Sequence, residues 1–353
     1  MSANFSTFSF NMGKYLAVML GLVGAVLVVL AGYNALVDPL WFFPHENRWN
    51  SNQVGFDERQ QKTNRVRFGD FYYDGVLLGS SRSTYIDQHT FTSGKIFNFA
   101  VSGMLPAEYP AYLRFSQKMR GQPLKEVIIG LDFFASSRNY ENSASAPERY
   151  FAIAEKPFYR AEMLISADTL KKSRESAANG GKDCDCYDRH NVKHLRHVSA
   201  EEHRELLLKD LAHFRNNVYR NYAYNEGLPL LWHSLQEEHP TTRFIVFTTP
   251  ISAALFRELV RAGRLPDLER WLKDAVNAFG EVTDFMGVNS ITIVDNRYQD
   301  GSHFYPETGD LIALRLSHSD TNVPVDFGVR VTADNIDAHL MKLRAQARAL
   351  VSP

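Results

Sequence analysis

The sequence predicts an α/β fold: a doubly wound parallel sheet of five strands, carrying a helical insertion and placed behind an N-terminal transmembrane helix. Three observations predict it. Residues 15–37 contain no charged side chain. Beyond residue 70, short apolar runs alternate with longer amphipathic segments, the mark of crossover units around a parallel sheet. An excursion of roughly a hundred residues, 132–242, is too long for an ordinary crossover and must hold structure of its own.

The charge-free run comes first. At ~1.5 Å rise per residue it crosses a ~30 Å hydrocarbon layer as a helix. A cleavable signal peptide has a shorter apolar stretch of roughly 7–15 residues, so an uncleaved anchor is the expectation, with cleavage near Ala31 or Ala35 as the alternative. Asp38 and Pro39 end the span, and Trp41, Phe42 and Phe43 read as an interfacial aromatic belt. Only Lys14 precedes the span, while Arg48, Arg59, Lys62, Arg65 and Arg67 follow it. That bias opposes export of the domain, but long domains translocate largely regardless of charge. Residues 1–37 are thus a cytoplasmic stub and anchor, 38–70 a membrane-proximal linker, and 71–353 the α/β domain, with the insertion at about 135–240.

The five strands are expected at Gly75-Val76-Leu77-Leu78, Ile96-Phe97-Asn98-Phe99, Val127-Ile128-Ile129-Gly130-Leu131, Phe244-Ile245-Val246-Phe247 and Ile291-Thr292-Ile293-Val294. Within the insertion, 161–178 and 200–238 read as helices, broken by Asn179-Gly180-Gly181, with Ser199 as an N-cap. The closing helix is expected over 332–350, capped by Thr332 or Asp334, with Ile336, Leu340 and Leu343 facing inward.

Composition narrows the function. Lys+Arg number 39 against Asp+Glu 40, a net charge of -1, so the basic surplus that binds nucleic acid is missing. The cysteines are Cys184 and Cys186; a bridge between them closes a tight ring, which leaves the redox compartment open. His190, His194, His197 and His203 follow in a polar, irregular stretch that reads as a solvated loop rather than a metal site.

Two turns carry chemistry. Gly79-Ser80-Ser81-Arg82-Ser83 follows the first strand, where parallel sheets present ligand-binding groups, and is expected to open a helix. Asp300-Gly301-Ser302-His303 follows the last strand. An aspartate three residues before a histidine can hold Nδ1 of the ring and leave Nε2 to take a proton from a serine. Each motif alone is modest, Ser-rich caps and Asx turns being common. Together they sit at one edge of one sheet.

The ordered blocks Gly79-Ser80-Ser81, Asn98-Phe99-Ala100-Val101-Ser102-Gly103, Ile129-Gly130-Leu131-Asp132 and Asp300-Gly301-Ser302-His303 resemble those of the SGNH/GDSL hydrolase superfamily over roughly residues 70–320. The style is that of its membrane-anchored branch, which includes the D-alanyl transfer protein and the polysaccharide O-acetylation factors. The resemblance implies a flavodoxin-like five-stranded SGNH fold. It implies Ser81 as nucleophile, Asp300 and His303 as its partners, and an oxyanion hole from the Ser81 and Gly103 amides. It implies no cofactor or metal. Two positions depart from the family: Ser80 stands where the hydrolases carry aspartate, and Asp132 where they carry the oxyanion asparagine. An ionised carboxylate repels an oxyanion, so either Asp132 points elsewhere or the oxyanion hole is built from the Ser81 and Gly103 amides only; Arg82 reads as a partner of Asp132, as a ligand for an anionic substrate group, or as a solvated surface arginine. Ser80, Arg82, Asn98 and Asp132 are the accessory candidates.

The implied function is an extracytoplasmic O-acyltransferase or acylesterase, anchored by a single span in the cytoplasmic (inner) membrane with its domain in the periplasm. Its substrate would be a cell-envelope polysaccharide, the acyl group acetyl, and its partner a multi-spanning membrane-bound O-acyltransferase. The competing expectations are a catalytically idle scaffold or glycan-binding subunit, and a lipase or thioesterase acting on membrane lipids.

Overall fold

The charge-free run folds as α1 (Met12–Val37), with a mean hydropathy of 2.5 over its most apolar stretch. The computed structural model describes residues 12–352, apart from positions 54, 56, 145, 183, 320 and 321. Asp38 stops α1: its carboxylate accepts the Phe42 and Phe43 amides at 2.8 and 3.0 Å and pairs with Arg189 at 2.7 Å. Trp41 and Phe42 are buried, not an interfacial belt. Phe42 packs edge-on to Phe68 and Tyr159, because the domain offers these rings a dry partner directly beneath the anchor.

Residues 38–70, expected as an irregular linker, hold β1 (Asn52–Gln53) and α2 (Glu58–Phe68). Asp57 caps α2 by accepting the Arg59 and Gln60 amides. This helix is buried through polar groups rather than an apolar stripe: Lys62 donates to Ala100 O at 2.8 Å and Asn64 to Leu40 O at 2.9 Å. Hydrophobic periodicity carries no signal for such a helix.

The main sheet has six strands where five were expected. Along the chain come β2 (Gly75–Leu78), β3 (Ile96–Asn98), α3 (Tyr109–Arg120) and β4 (Glu126–Leu131). The insertion follows. It consists of α4 (Pro147–Glu155), α5 (Tyr159–Leu164), α6 (Ala167–Asn179), the hairpin β5 (Cys186–Asp188) and β6 (Lys193–His194), α7 (Ala200–His213) and α8 (Leu228–Glu238). Then come β7 (Arg243–Thr248), α9 (Ala253–Arg261), α10 (Leu265–Phe279), β8 (Glu281–Asp284), α11 (Pro306–Leu316), β9 (Val329–Thr332) and α12 (Ile336–Val351). The spatial order is β3-β2-β4-β7-β8-β9, all parallel except β9, which runs antiparallel to β8. Alternate residues of the central strands feed two cores. Val76, Leu78, Val127 and Ile129 face one side with α3, α9, α10 and α12, while Leu77, Ile128 and Phe247 face the other with α11.

Four boundaries differ from expectation. The helix expected over 161–178 is broken at Ile165-Ser166 into α5 and α6, because the Ser166 side chain accepts the Thr169 amide and caps a new helix. Ile291-Thr292-Ile293-Val294 is a turn, not the fifth strand, because Asn289 Oδ1 accepts the Ile291 and Thr292 amides and curls the chain; β8 takes that place in the sheet. The helix expected over 200–238 passes from α7 into a π-helical turn, Phe214–Tyr219, and then breaks. There the chain pairs instead with the loop after β4, Arg138 donating to Ala223 O and Asn225 to Ser136 O. Thr332 belongs to β9, and α12 starts after Asn335, with Ile336, Leu340 and Leu343 buried as expected.

Candidate active site

Ser81 is presented by a tight turn, not by a long helix. After β2 the chain turns at Gly79, whose φ of 154° and close approach to the Ser83 side chain leave no room for a Cβ. Ser80 is buried, and Ser81 and Arg82 lead into a single 3-10 turn, Ser83–Tyr85. So short a turn has no macrodipole to lend an anion, contrary to the expected helix start. Asn98 braces the turn from β3, donating to Ser83 O at 2.9 Å and Ile86 O at 2.8 Å. The loop that carries Gly103 is tied to it by Val101 N to Gly79 O, and Gly103 itself adopts a positive φ of 68°.

The Asp300–His303 turn closes on itself through Gln299 N to His303 O and is pinned to the N-cap of α9 by Ser252 N donating to Gly301 O. Asp300 Oδ1 accepts the Ser302 and His303 amides, each at 2.7 Å. Its Oδ2 lies 2.8 Å from His303 Nδ1. Burial pushes the Asp300 carboxyl up, but the His303 hydrogen bond, the His303 charge and the two amides outweigh it and hold it down to about 2. An ionised Oδ2 only accepts, so Nδ1 carries the ring proton and Nε2 is the acceptor. Ser81 Oγ donates to that Nε2 at 2.9 Å. Ser81, His303 and Asp300, up to 222 positions apart in the chain, form one continuous proton path.

Asp132 points away from this path. Arg82 Nη1 donates to Asp132 Oδ1 at 3.1 Å, and Thr249 Oγ1 donates to the same oxygen at 2.6 Å. The Arg82 and Asp132 side chains are only 4% and 2% exposed, and the guanidinium also lies over the Phe134 and Phe214 rings. Thr249 escaped the sequence reading; its signal is its place just past the carboxyl end of an apolar strand. The insertion roofs the site. Asp210 of α7 presses against Gly301, and burial followed by the nearby Asp300 charge raises its carboxyl. Ser81, Arg82, Phe134, Tyr140, Phe214 and His303 help line a cavity of about 150 Å³. A larger depression of about 500 Å³ lies among Arg215, Arg261 and Arg264 and holds no nucleophile beside a base.

Beneath the turn, Thr84 Oγ1 donates to Ser81 O and accepts from Lys193 Nζ, which pairs with Glu58 at 3.0 Å. Burial pushes Glu58 up, yet the Lys193 and Lys62 charges and the Ser102 amide hold it at about 2. Burial pushes Lys62 down to about 7. Helix α2 therefore supports the serine turn from below.

The histidine-rich stretch disperses among separate partners: His190 faces Glu46, His194 faces Asp188, His197 faces Glu307, and His203 faces Gln299 O. Cys184 and Cys186 are joined in a disulfide. No protein-family model, curated protein or solved structure matches the chain.

Proposed function

We propose that the chain is a membrane-anchored serine O-acyltransferase or acylesterase of the SGNH type, acting outside the cytoplasmic membrane on a cell-envelope polysaccharide. One observation carries the reading: Ser81 Oγ, His303 and Asp300 lie in unbroken hydrogen-bond contact at 2.9 and 2.8 Å. Ser81 Oγ attacks the acyl carbonyl while His303 Nε2 takes its proton, and Asp300 holds the ring tautomer and steadies the imidazolium. The imidazolium then protonates the leaving group. A sugar hydroxyl or water, deprotonated by the same Nε2, releases the acyl group from Ser81. The family resemblance gives the Ser81 and Gly103 amides to the oxyanion.

Four further observations support the reading. Numbered along the chain, the five parallel strands lie in the order 2-1-3-4-5, that of flavodoxin-like sheets. The Asp132 charge is spent on Arg82 and does not confront an oxyanion as a bare carboxylate. A cavity of about 150 Å³ walled by Phe134 and Phe214 suits an acetyl-sized group better than a lipid chain. The Cys184–Cys186 disulfide and the spanning-length α1 agree with a single-pass protein whose domain lies in the oxidising periplasm. The multi-spanning membrane-bound O-acyltransferase partner follows from the family resemblance alone.

The test is covalent labelling of the full chain in membranes with a fluorophosphonate. Wild type should label and Ser81→Ala should not. Undiminished labelling of Ser81→Ala removes the proposal.

A further inference from the structure

Trp41 and Phe42, just past the anchor, are buried, yet two large apolar side chains elsewhere stand clear of every core beside it. Phe158 is 81% exposed and Ile165 46%. They flank α5, one at each end, roughly 10 Å apart at the ~1.5 Å helical rise. The inner side of α5 is fixed: Tyr159 packs with Leu40 and Phe42, and Met163 and Leu164 lean on the same cluster. Phe158 is held at a φ of 62°, a left-handed conformation that a bulky residue adopts only when its surroundings impose it.

The place of this corner relative to α1 is set by hydrogen bonds. Asn34, fully buried near the end of α1, donates to Leu164 O at 2.9 Å and to Ser166 O at 3.5 Å, and accepts from Ser173 Oγ at 2.8 Å. Ile165 is therefore level with Asn34. A span of ~20 residues that starts at the beginning of the charge-free run ends at this level. The exposed apolar face of α1 continues to Leu36, so Ile165 and Phe158 extend an apolar surface that is already committed to lipid. At the same rim the Arg160 guanidinium lies over the Phe43 and Phe68 rings, an aromatic and cationic mixture suited to anionic headgroups. Lys156 and Glu162 pair and cancel.

We propose that the α5 corner seats on the phospholipid surface beside the anchor, with Phe158 and Ile165 entering the headgroup region. The domain, already fixed to the end of α1 through Asn34 and Asp38, then gains a second point of contact that sets its tilt against the membrane. This rests on α1 lying in a bilayer, and not on acyl-transfer chemistry.

The experiment uses the full chain in vesicles of phosphatidylcholine with a minority of phosphatidylglycerol, nitroxide-labelled one site at a time. Both native cysteines are in a disulfide, so labelling is confined to the introduced thiol. Phe158→Cys and Ile165→Cys are compared with Val28→Cys, exposed in mid-span, and Leu230→Cys, exposed on α8. The readout is relaxation by oxygen against a water-soluble nickel chelate. Oxygen should dominate at positions 158 and 165 by several-fold over position 230, approaching position 28. Nickel dominance at 158 and 165 with oxygen dominance at 28 overturns the seat and leaves the anchor. Exclusion of both relaxants at 158 and 165 means that protein covers the corner, which also overturns it. Nickel dominance at 28 takes down anchor and seat together.

Discussion

Asp300 and Asp132 are both carboxylates at the carboxyl edge of the sheet, both withdrawn from water, and they are held by opposite means. Asp300 is satisfied locally: the two amides that bind Oδ1 belong to residues two and three positions on, leaving Oδ2 for one imidazole. Asp132 is satisfied across the sheet, by a guanidinium from the turn after β2 and a hydroxyl from the end of β7. The first arrangement leaves one lone-pair direction aimed along a proton path. The second spends the charge on tying three strand ends together. The more exposed aspartate is thus suited to polarising a base, and the fully buried one to holding the base's surroundings still.

Substitutions should separate these roles. The largest effect is expected for Asp300→Asn, which keeps the shape but removes the acceptor that selects the Nδ1–H tautomer. Hydrolysis of a small acetyl ester, measured without denaturant where the variant is folded, should fall by about 10⁴-fold, if the relay works as in other Ser-His-Asp systems. A fall below tenfold would erase the distinction drawn between the two carboxylates. Next, Asp132→Ala should cost about 3–5 kcal/mol in urea unfolding, because it strands the buried Arg82 charge. Replacing both members, Arg82→Met with Asp132→Leu, should recover most of that loss; a double variant no better than the single one would show that the pair does more than neutralise itself.

The smallest effect is pH-linked. Folding lowers the Asp300 pKa from 3.8 to about 2, so its contribution to stability is full above 3.8 and is lost as pH falls toward 2. Acid titration of the urea midpoint should therefore be shallower for Asp300→Asn than for wild type over that window, and equal slopes would contradict the assignment. Glu58, lowered from 4.5 to about 2, adds the same sign of slope in both proteins and does not disturb the difference.

Much of this architecture was legible in the sequence because local causes produced it. Uninterrupted apolar runs marked β2, β4 and β7, since strands covered on both faces have no polar side to show. Asp300 and His303 were readable because their contact closes within one turn. The same reasoning failed where a local cue competed with it: the β-branched run at Ile291 looked like a strand, and Asn289 made it a turn. It failed also where burial is polar, as in α2, whose Lys62 and Asn64 are satisfied by carbonyls of Ala100 and Leu40.

What the sequence determined by itself was therefore which segments leave water, where the chain must reverse, and which side chains have the chemistry to move a proton. Tertiary structure alone decided that Arg82 answers Asp132, that Thr249 completes the pair, that Trp41 and Phe42 turn inward, and that Phe158 and Ile165 are left outside. Hydropathy and turn propensity act over a few neighbouring residues. Partnership across the sheet and exposure beside the anchor follow from how whole layers pack, and no short stretch of sequence encodes that.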